Sequence, residues 1–159
     1  MGQELSRCVS GRNMEPGTLK AVGVWFRSHA TGRYLYLMRS DAKHPGAWGL
    51  PGGKVETGET LLGGMERECV EELGSMPDYL RLIPLEKFTS TDNAFEYHTW
   101  VCIVDREFVP VLNHEHLGYA WLDGGHWPKP MHPGLWSTVN LEAVQQKIEA
   151  VERSFQPAK

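Results

Sequence analysis

Glu68, Glu71 and Glu72 are spaced so that a helix carrying them presents three carboxylates on one sector, because residues i, i+3 and i+4 are neighbours on a helix surface. The segment predicts such a helix. Residues 60–73 contain no proline, Thr60 offers a hydroxyl to cap the free N–H groups at the start, and Gly74 stands where a left-handed residue ends a helix. Leu62, Met65, Cys69 and Leu73 gather on another sector, the expected core face. Gly63 and Gly64 each cost about 1 kcal/mol relative to alanine, so the first turns are expected to be either loose or closely packed against another backbone.

Clustered carboxylates repel one another and attract a neutralising partner, and hard divalent cations such as Mg²⁺ take oxygen ligands of this kind. Magnesium binds through few carboxylates and completes its shell with water and substrate phosphate, which suits the cluster to a diphosphate. A cation so placed polarises a phosphoryl oxygen and acidifies a bound water. Phosphoryl transfer asks little more of a protein than positioning and charge neutralisation. The competing reading is a solvated helix whose glutamates pair with Arg67. Against it stands the preceding stretch, Trp48-Gly49-Leu50-Pro51-Gly52-Gly53-Lys54, a glycine-rich turn whose backbone can approach an ion or phosphate closely.

Residues 53–75 resemble the Nudix box. Gly53 is followed by Glu59, by the Arg67-Glu68 pair after seven intervening residues, by Glu71-Glu72 and by Gly74, and only the closing aliphatic slot departs, being filled by Ser75. Met76 is placed to seal that exit. The resemblance, to the Nudix hydrolase family of MutT-like nucleotide pyrophosphohydrolases, implies roles residue by residue. Glu68, Glu71 and Glu72 become ligands of Mg²⁺ (or Mn²⁺), the Gly52 carbonyl joins them, Arg67 and Glu59 brace the loop on the helix, and Lys54 matches a basic position that meets substrate phosphate in some members. In many relatives an acidic residue of a late loop adds a ligand or a general base, and Glu115 of Asn113-His114-Glu115-His116 is the candidate here. The two histidines beside it lack a third nitrogen or a thiolate at zinc spacing and read as surface residues.

These residues need a scaffold. Apolar and β-branched runs predict strands over residues 19–27 and 33–39, then 80–88 and 95–104 around the polar turn 89–93, and a shorter one over 118–122. Leu141, Val144, Ile148, Val151 and Phe155 recur at alternating spacings of three and four, the mark of an amphipathic helix packed on the sheet. Two helices around a mixed β-sheet make an α/β protein, an α/β/α sandwich, which is also the fold the Nudix resemblance implies. Residues 1–17 read as an arm and 18–159 as one domain.

Other side chains could complete the site. Arg27 and Arg39 end the first two strands, and either could grip phosphate with a planar fork, Arg39 being the better placed because it leads towards Trp48. Trp25, Phe95, Tyr97, Trp121 and Trp127 are potential stacking partners for a nucleobase. A net charge of −4 without a basic tract argues against a nucleic-acid duplex as partner. No apolar run approaches membrane-spanning length, residues 1–16 lack the apolar stretch of a secretory signal, and a cytoplasmic setting is expected. Cys8, Cys69 and Cys102 have no metal-ligand spacing, and their odd number argues against a disulfide framework; Cys69 and Cys102 read as core residues.

The expected activity is hydrolysis of a nucleoside diphosphate linked to another moiety. A nucleoside triphosphate, standard or oxidised, is favoured, giving a monophosphate and pyrophosphate, with nucleotide sugars or other such conjugates as the alternative. The preference for triphosphates rests partly on the absence of the downstream proline and tyrosine that mark ADP-ribose and dinucleoside polyphosphate hydrolases in this family. A Nudix-fold module that senses nucleotide without cleaving it would be expected to have lost a box glutamate, and none is missing. The resemblance also allows a homodimer.

Overall fold

The computed structural model describes residues 17–157. The arm expected over residues 1–17 therefore lies outside the described residues except for Gly17, as do Cys8 and the last two residues of the expected domain.

Strand β1 (Leu19–Ser28) is apolar along most of its length because it runs through the middle of the sheet. It pairs in parallel with β6 (Phe95–Val104) from Leu19↔Phe95 to Ser28↔Val104. Its other edge meets β2 (Tyr34–Arg39) and β4 (Gly52–Lys54), both antiparallel. Outside these lie β3 (Trp48–Gly49) and β7 (His116–Leu122) on β2, and β5 (Arg81–Thr89) on β6, again antiparallel. One parallel pairing among antiparallel ones makes the sheet mixed, as the sequence predicts.

Helix α1 (Leu61–Leu73) covers one face, burying Met65, Cys69 and Leu73 against Val22, Val24, Phe26, Leu37 and Trp100. Helices α2 (Pro133–Val139) and α3 (Glu142–Ser154) cover the other, where Leu135, Val139, Val144 and Val151 pack on Trp25, Tyr34, Tyr36 and Ile103. The α/β/α sandwich is thus formed. Cys69 and Cys102 are free and buried in the first core, as expected.

The caps of α1 are those predicted: the Thr60 hydroxyl accepts from Gly63 N–H at 2.9 Å, and Gly74 at φ 90° donates its N–H to the Val70 carbonyl. Gly64 is closely packed, since a Cβ there would come within 3.2 Å of both Val55 and Glu59 side chains. Met76 packs partly buried against the core beside the polar Ser75.

Three expectations need correction. Leu62 is half exposed and Leu61 takes its place against the core, because Glu68 and Glu72 themselves occupy the inward sector and rotate the buried arc to residues 61, 65, 69 and 73. Helix α2 was not anticipated, since Pro133-Gly134 reads as a breaker. Proline is tolerated in a first helical turn because its missing N–H has no partner there, and His132 caps the turn, its Nδ1 accepting from Gly134 N–H at 3.0 Å. Arg27 is no phosphate ligand: it is buried under the end of α3, donating to the Phe155 carbonyl at 2.7 Å and lying over the Tyr34 ring. A cation there satisfies a helix-end carbonyl.

Candidate active site

Strand β4 brings the glycine-rich turn against α1. Gly52 N–H donates to Glu72 Oε1 at 3.1 Å, and a Cβ on Gly52 would fall 2.0 Å from the Val22 carbonyl oxygen. At Gly53 a Cβ would lie 2.5 Å from the Glu68 carboxyl carbon. Both glycines are therefore demanded by the closeness of turn, sheet and helix.

Arg67 ties the two segments together. Its guanidinium donates to both oxygens of Glu59, at 2.7 and 3.0 Å, and to the Lys54 carbonyl at 2.9 Å. The same group reaches Glu68 at 3.0 Å and Glu71 at 3.3 Å. Glu59 also accepts from the Glu56 N–H, and with Arg67 beside it the carboxyl is held down at about 2. This is the brace that the sequence resemblance implied for Arg67 and Glu59.

The remaining carboxyls are in a different electrostatic position. Glu68 and Glu72 are buried, the latter almost completely, while Glu71 is half exposed. Burial pushes the affinities of Glu68 and Glu72 for a proton above the ordinary carboxylate value, and the nearby Glu68 charge adds to the push on Glu72. Ionising both carboxyls this close in a dry site is costly; Arg67 offsets the charge of Glu68, whereas Glu72 is met only by the Gly52 N–H.

Glu115 is carried to the same place by a loop pinned on α1. Val111 N–H donates to the Leu73 carbonyl at 2.9 Å, Asn113 Nδ2 to the Glu71 carbonyl at 3.0 Å, and Ser40 N–H to the Glu115 carbonyl at 3.0 Å. The Glu115 side chain is exposed, and its charge adds to the upward push on Glu72. His114 is exposed as expected, but His116 is only partly so; burial lowers it to about 4, leaving it neutral.

Among the described residues no three acidic, histidine or cysteine side chains already close around one point as a metal shell, and Arg67 occupies the flank of Glu68 and Glu71. The donors nevertheless fit a hard divalent cation. All are oxygens, Glu72 has no cationic partner among the described residues, and the missing Cβ of Gly53 leaves the Glu68 carboxylate its room.

A cleft of about 620 Å³ opens between the sheet and the start of α2, lined in part by Gly49 and Leu50 of the turn that leads to Gly52. Phe88, Phe95 and Tyr97 line it from β5 and β6, Arg39 from the end of β2, and His132 from the cap of α2. Arg39 is held by Asp41 through two bonds of 2.8 and 3.2 Å and remains a third exposed. Glu86 accepts from the Thr138 hydroxyl at 2.7 Å within the same lining. Lys54 projects to solvent on β4, with no ion pair among the described residues. Of the stacking candidates, Phe95 and Tyr97 reach the cleft; Trp25 and Trp121 are buried core residues and Trp127 packs on the second core. Sequence reasoning missed Phe88, Glu86 and His132. The first two alternate on one strand and could have been read as one face, whereas nothing local marks His132.

No helix among the described residues is long and apolar enough to cross a membrane. Compared with known proteins, the NUDIX domain family matches residues 17–140, and the match contains every box residue. The chain belongs to the Nudix family. It is 29% identical over 124 residues to the 8-oxo-dGTP diphosphatase of Escherichia coli K12, covering 77% of this chain and 82% of that protein. Among solved structures, a Nudix hydrolase of M. smegmatis superposes with a TM-score of 0.66 at 21% identity, over 90% of this chain and 91% of that one. An Ap4A hydrolase of C. elegans does so with a TM-score of 0.61 at 19% identity, over 87% and 100%. At such identities the structural likeness speaks for the Nudix fold alone. The protein is a Nudix family hydrolase acting on pyrophosphate bonds of nucleotide compounds, and hydrolases of this family generally use a divalent metal.

Proposed function

We propose that this Nudix hydrolase cleaves a nucleoside triphosphate, standard or oxidised, to a nucleoside monophosphate and pyrophosphate with Mg²⁺ or Mn²⁺. The observation that carries the reading is the buried Glu68–Glu72 pair, anchored on Gly52 N–H beside a cleft with aromatic walls. The likeness to an 8-oxo-dGTP diphosphatase supports the choice of triphosphates.

Glu68, Glu71, Glu72, Glu115 and the Gly52 carbonyl would hold the cation, which when bound polarises a phosphoryl oxygen and acidifies water. Arg67 keeps Glu68 and Glu71 in place and offsets their mutual repulsion. Glu115, solvent-exposed beside the buried pair, accepts the proton of the attacking water; Glu68 is the other carboxylate within the cluster able to do so. Arg39 meets substrate phosphate at the cleft, with Lys54 on the outer side, and Phe88, Phe95 and Tyr97 embrace the base. Residues 18–159 act as one domain on a small soluble nucleotide, in accord with a cytoplasmic setting.

The test is a product analysis on a panel of nucleoside triphosphates, ADP-ribose, a dinucleoside tetraphosphate and a nucleotide sugar, each with Mg²⁺ and with chelator. Monophosphate plus pyrophosphate from a triphosphate, abolished by chelator, is expected. Turnover confined to the conjugates, or tight binding without turnover, contradicts the proposal.

A further inference from the structure

Tyr97 joins the two halves of the site. It stands on β6 in register with Ala21 of β1, and its ring leans along the sheet until the hydroxyl lies over Gly23. A Cβ at position 23 would fall 2.2 Å from that oxygen and 2.9 Å from Cζ. Glycine inside a strand weakens it and commonly marks a close approach by another group. Here the approaching group is the phenol.

Gly23 is also the strand partner of Gly52, whose N–H holds Glu72. The hydroxyl thus sits one strand away from the anchor of the acidic cluster, while its ring lines the aromatic cleft with Phe88, Phe95 and Arg39. Among the described residues the hydroxyl has no hydrogen-bond partner. Burial and the Glu72 charge push the phenol up to about 12, so at neutral pH it keeps its proton and can donate it.

In a nucleoside triphosphate bound with its base in the cleft and its outer phosphates at the carboxylates, the sugar and the innermost phosphate lie between. We infer that the Tyr97 hydroxyl donates a hydrogen bond to the innermost phosphate of the substrate, setting the scissile bridge over Glu68 and Glu72. The inference rests on the triphosphate reading. An anionic oxygen is the strongest acceptor such a donor can meet, and Arg39 in the same lining supplies the accompanying charge.

Tyr97→Phe keeps the ring on Gly23 and removes only the donor. Its kcat/KM on the best triphosphate is expected to fall about 10- to 100-fold with an unchanged melting temperature. The two diastereomers of the α-phosphorothioate triphosphate separate binding from a merely structural role. Sulfur is a poor acceptor, so on the diastereomer that turns sulfur towards residue 97 the wild type is already slow, and the variant should lose at least fivefold less than on the parent. An equal loss on the parent and on both diastereomers, or a variant within twofold of wild type, overturns the inference and leaves the triphosphate reading intact. A wild type without triphosphate turnover removes both.

Discussion

The acidic end of the site and the aromatic cleft beside it are held by different forces. The acidic end comes from residues 52–72 and is knit by charge: Arg67 grips Glu59, Glu68 and Glu71, and Gly52 grips Glu72. The cleft takes side chains from β2, β5, β6 and the start of α2, positions 39 to 141, and is mostly apolar surface with a few bonds such as Thr138 to Glu86. Moving any group at the acidic end leaves a buried charge or N–H unpaired, which is costly. Exchanging an apolar side chain in an open cleft costs far less. On the proposed reading, the first region fixes the reaction and the second is free to choose the substrate.

Glu72→Gln strikes the acidic end hardest. The amide oxygen can still accept from Gly52 N–H, but the charge is gone, and loss of several kcal/mol of transition-state stabilisation means a fall in kcat of about 10³-fold. The melting temperature should not fall, because the substitution also removes a carboxyl whose ionised form burial disfavours. Gly53→Ala comes next. Its Cβ displaces the Glu68 carboxylate, and a misplacement of about 1 Å predicts a loss of about 10²-fold in kcat.

The cleft should respond differently. Phe95→Ala is expected to raise KM about tenfold while kcat changes little, the range set by loss of one base–aromatic contact. A drop in kcat equal to that of Gly53→Ala would erase the distinction between the two regions.

A smaller effect appears in stability. Burial raises Glu68 and Glu72 above their ordinary value of 4.5, so above that pH the folded chain holds a proton that the unfolded chain has released. Their contribution to the stability of cation-free protein therefore falls as pH rises from that value. In chelator, the melting temperature of Glu72→Gln relative to wild type should climb between about pH 5 and pH 8, and added Mg²⁺ should raise the wild type more than the variant. The smallest expected effect is that of Leu62→Gln, which lies on the solvent side of α1 and should alter stability by no more than about 0.5 kcal/mol in a denaturant titration.

The same contrast explains what could be read in the sequence. Glu68, Glu71 and Glu72 with Thr60 and Gly74 belong to one helix, so a period of 3.6 residues was enough to bring them together and to mark its ends. Alternation and β-branching revealed the longer strands, and the three-four spacing revealed α3. The phase of α1 was misjudged at Leu62 because two of its buried residues are glutamates, which polarity alone assigns to the surface. The short strands β3 and β4 were hidden in a turn rich in glycine and proline, and α2 behind Pro133-Gly134. In the cleft, Tyr97, Phe88 and His132 meet only through long-range pairing of strands and packing of α2, and no spacing in the chain announces that. Arg27 reads as a strand-end cation; that α3 ends directly above it is a fact of the fold.

On the proposed reading, the carboxylates of Glu68, Glu71 and Glu72 gather a divalent cation on which the pyrophosphate bridge is set. Its most direct test is a Mn²⁺ titration followed by electron paramagnetic resonance, on wild type and Glu72→Gln, with and without a non-hydrolysable nucleoside triphosphate. Wild type is expected to bind Mn²⁺, nucleotide to tighten this binding, and Glu72→Gln to weaken it at least about tenfold with an unchanged circular dichroism spectrum. Equal Mn²⁺ affinity in the two proteins, indifferent to nucleotide, contradicts it.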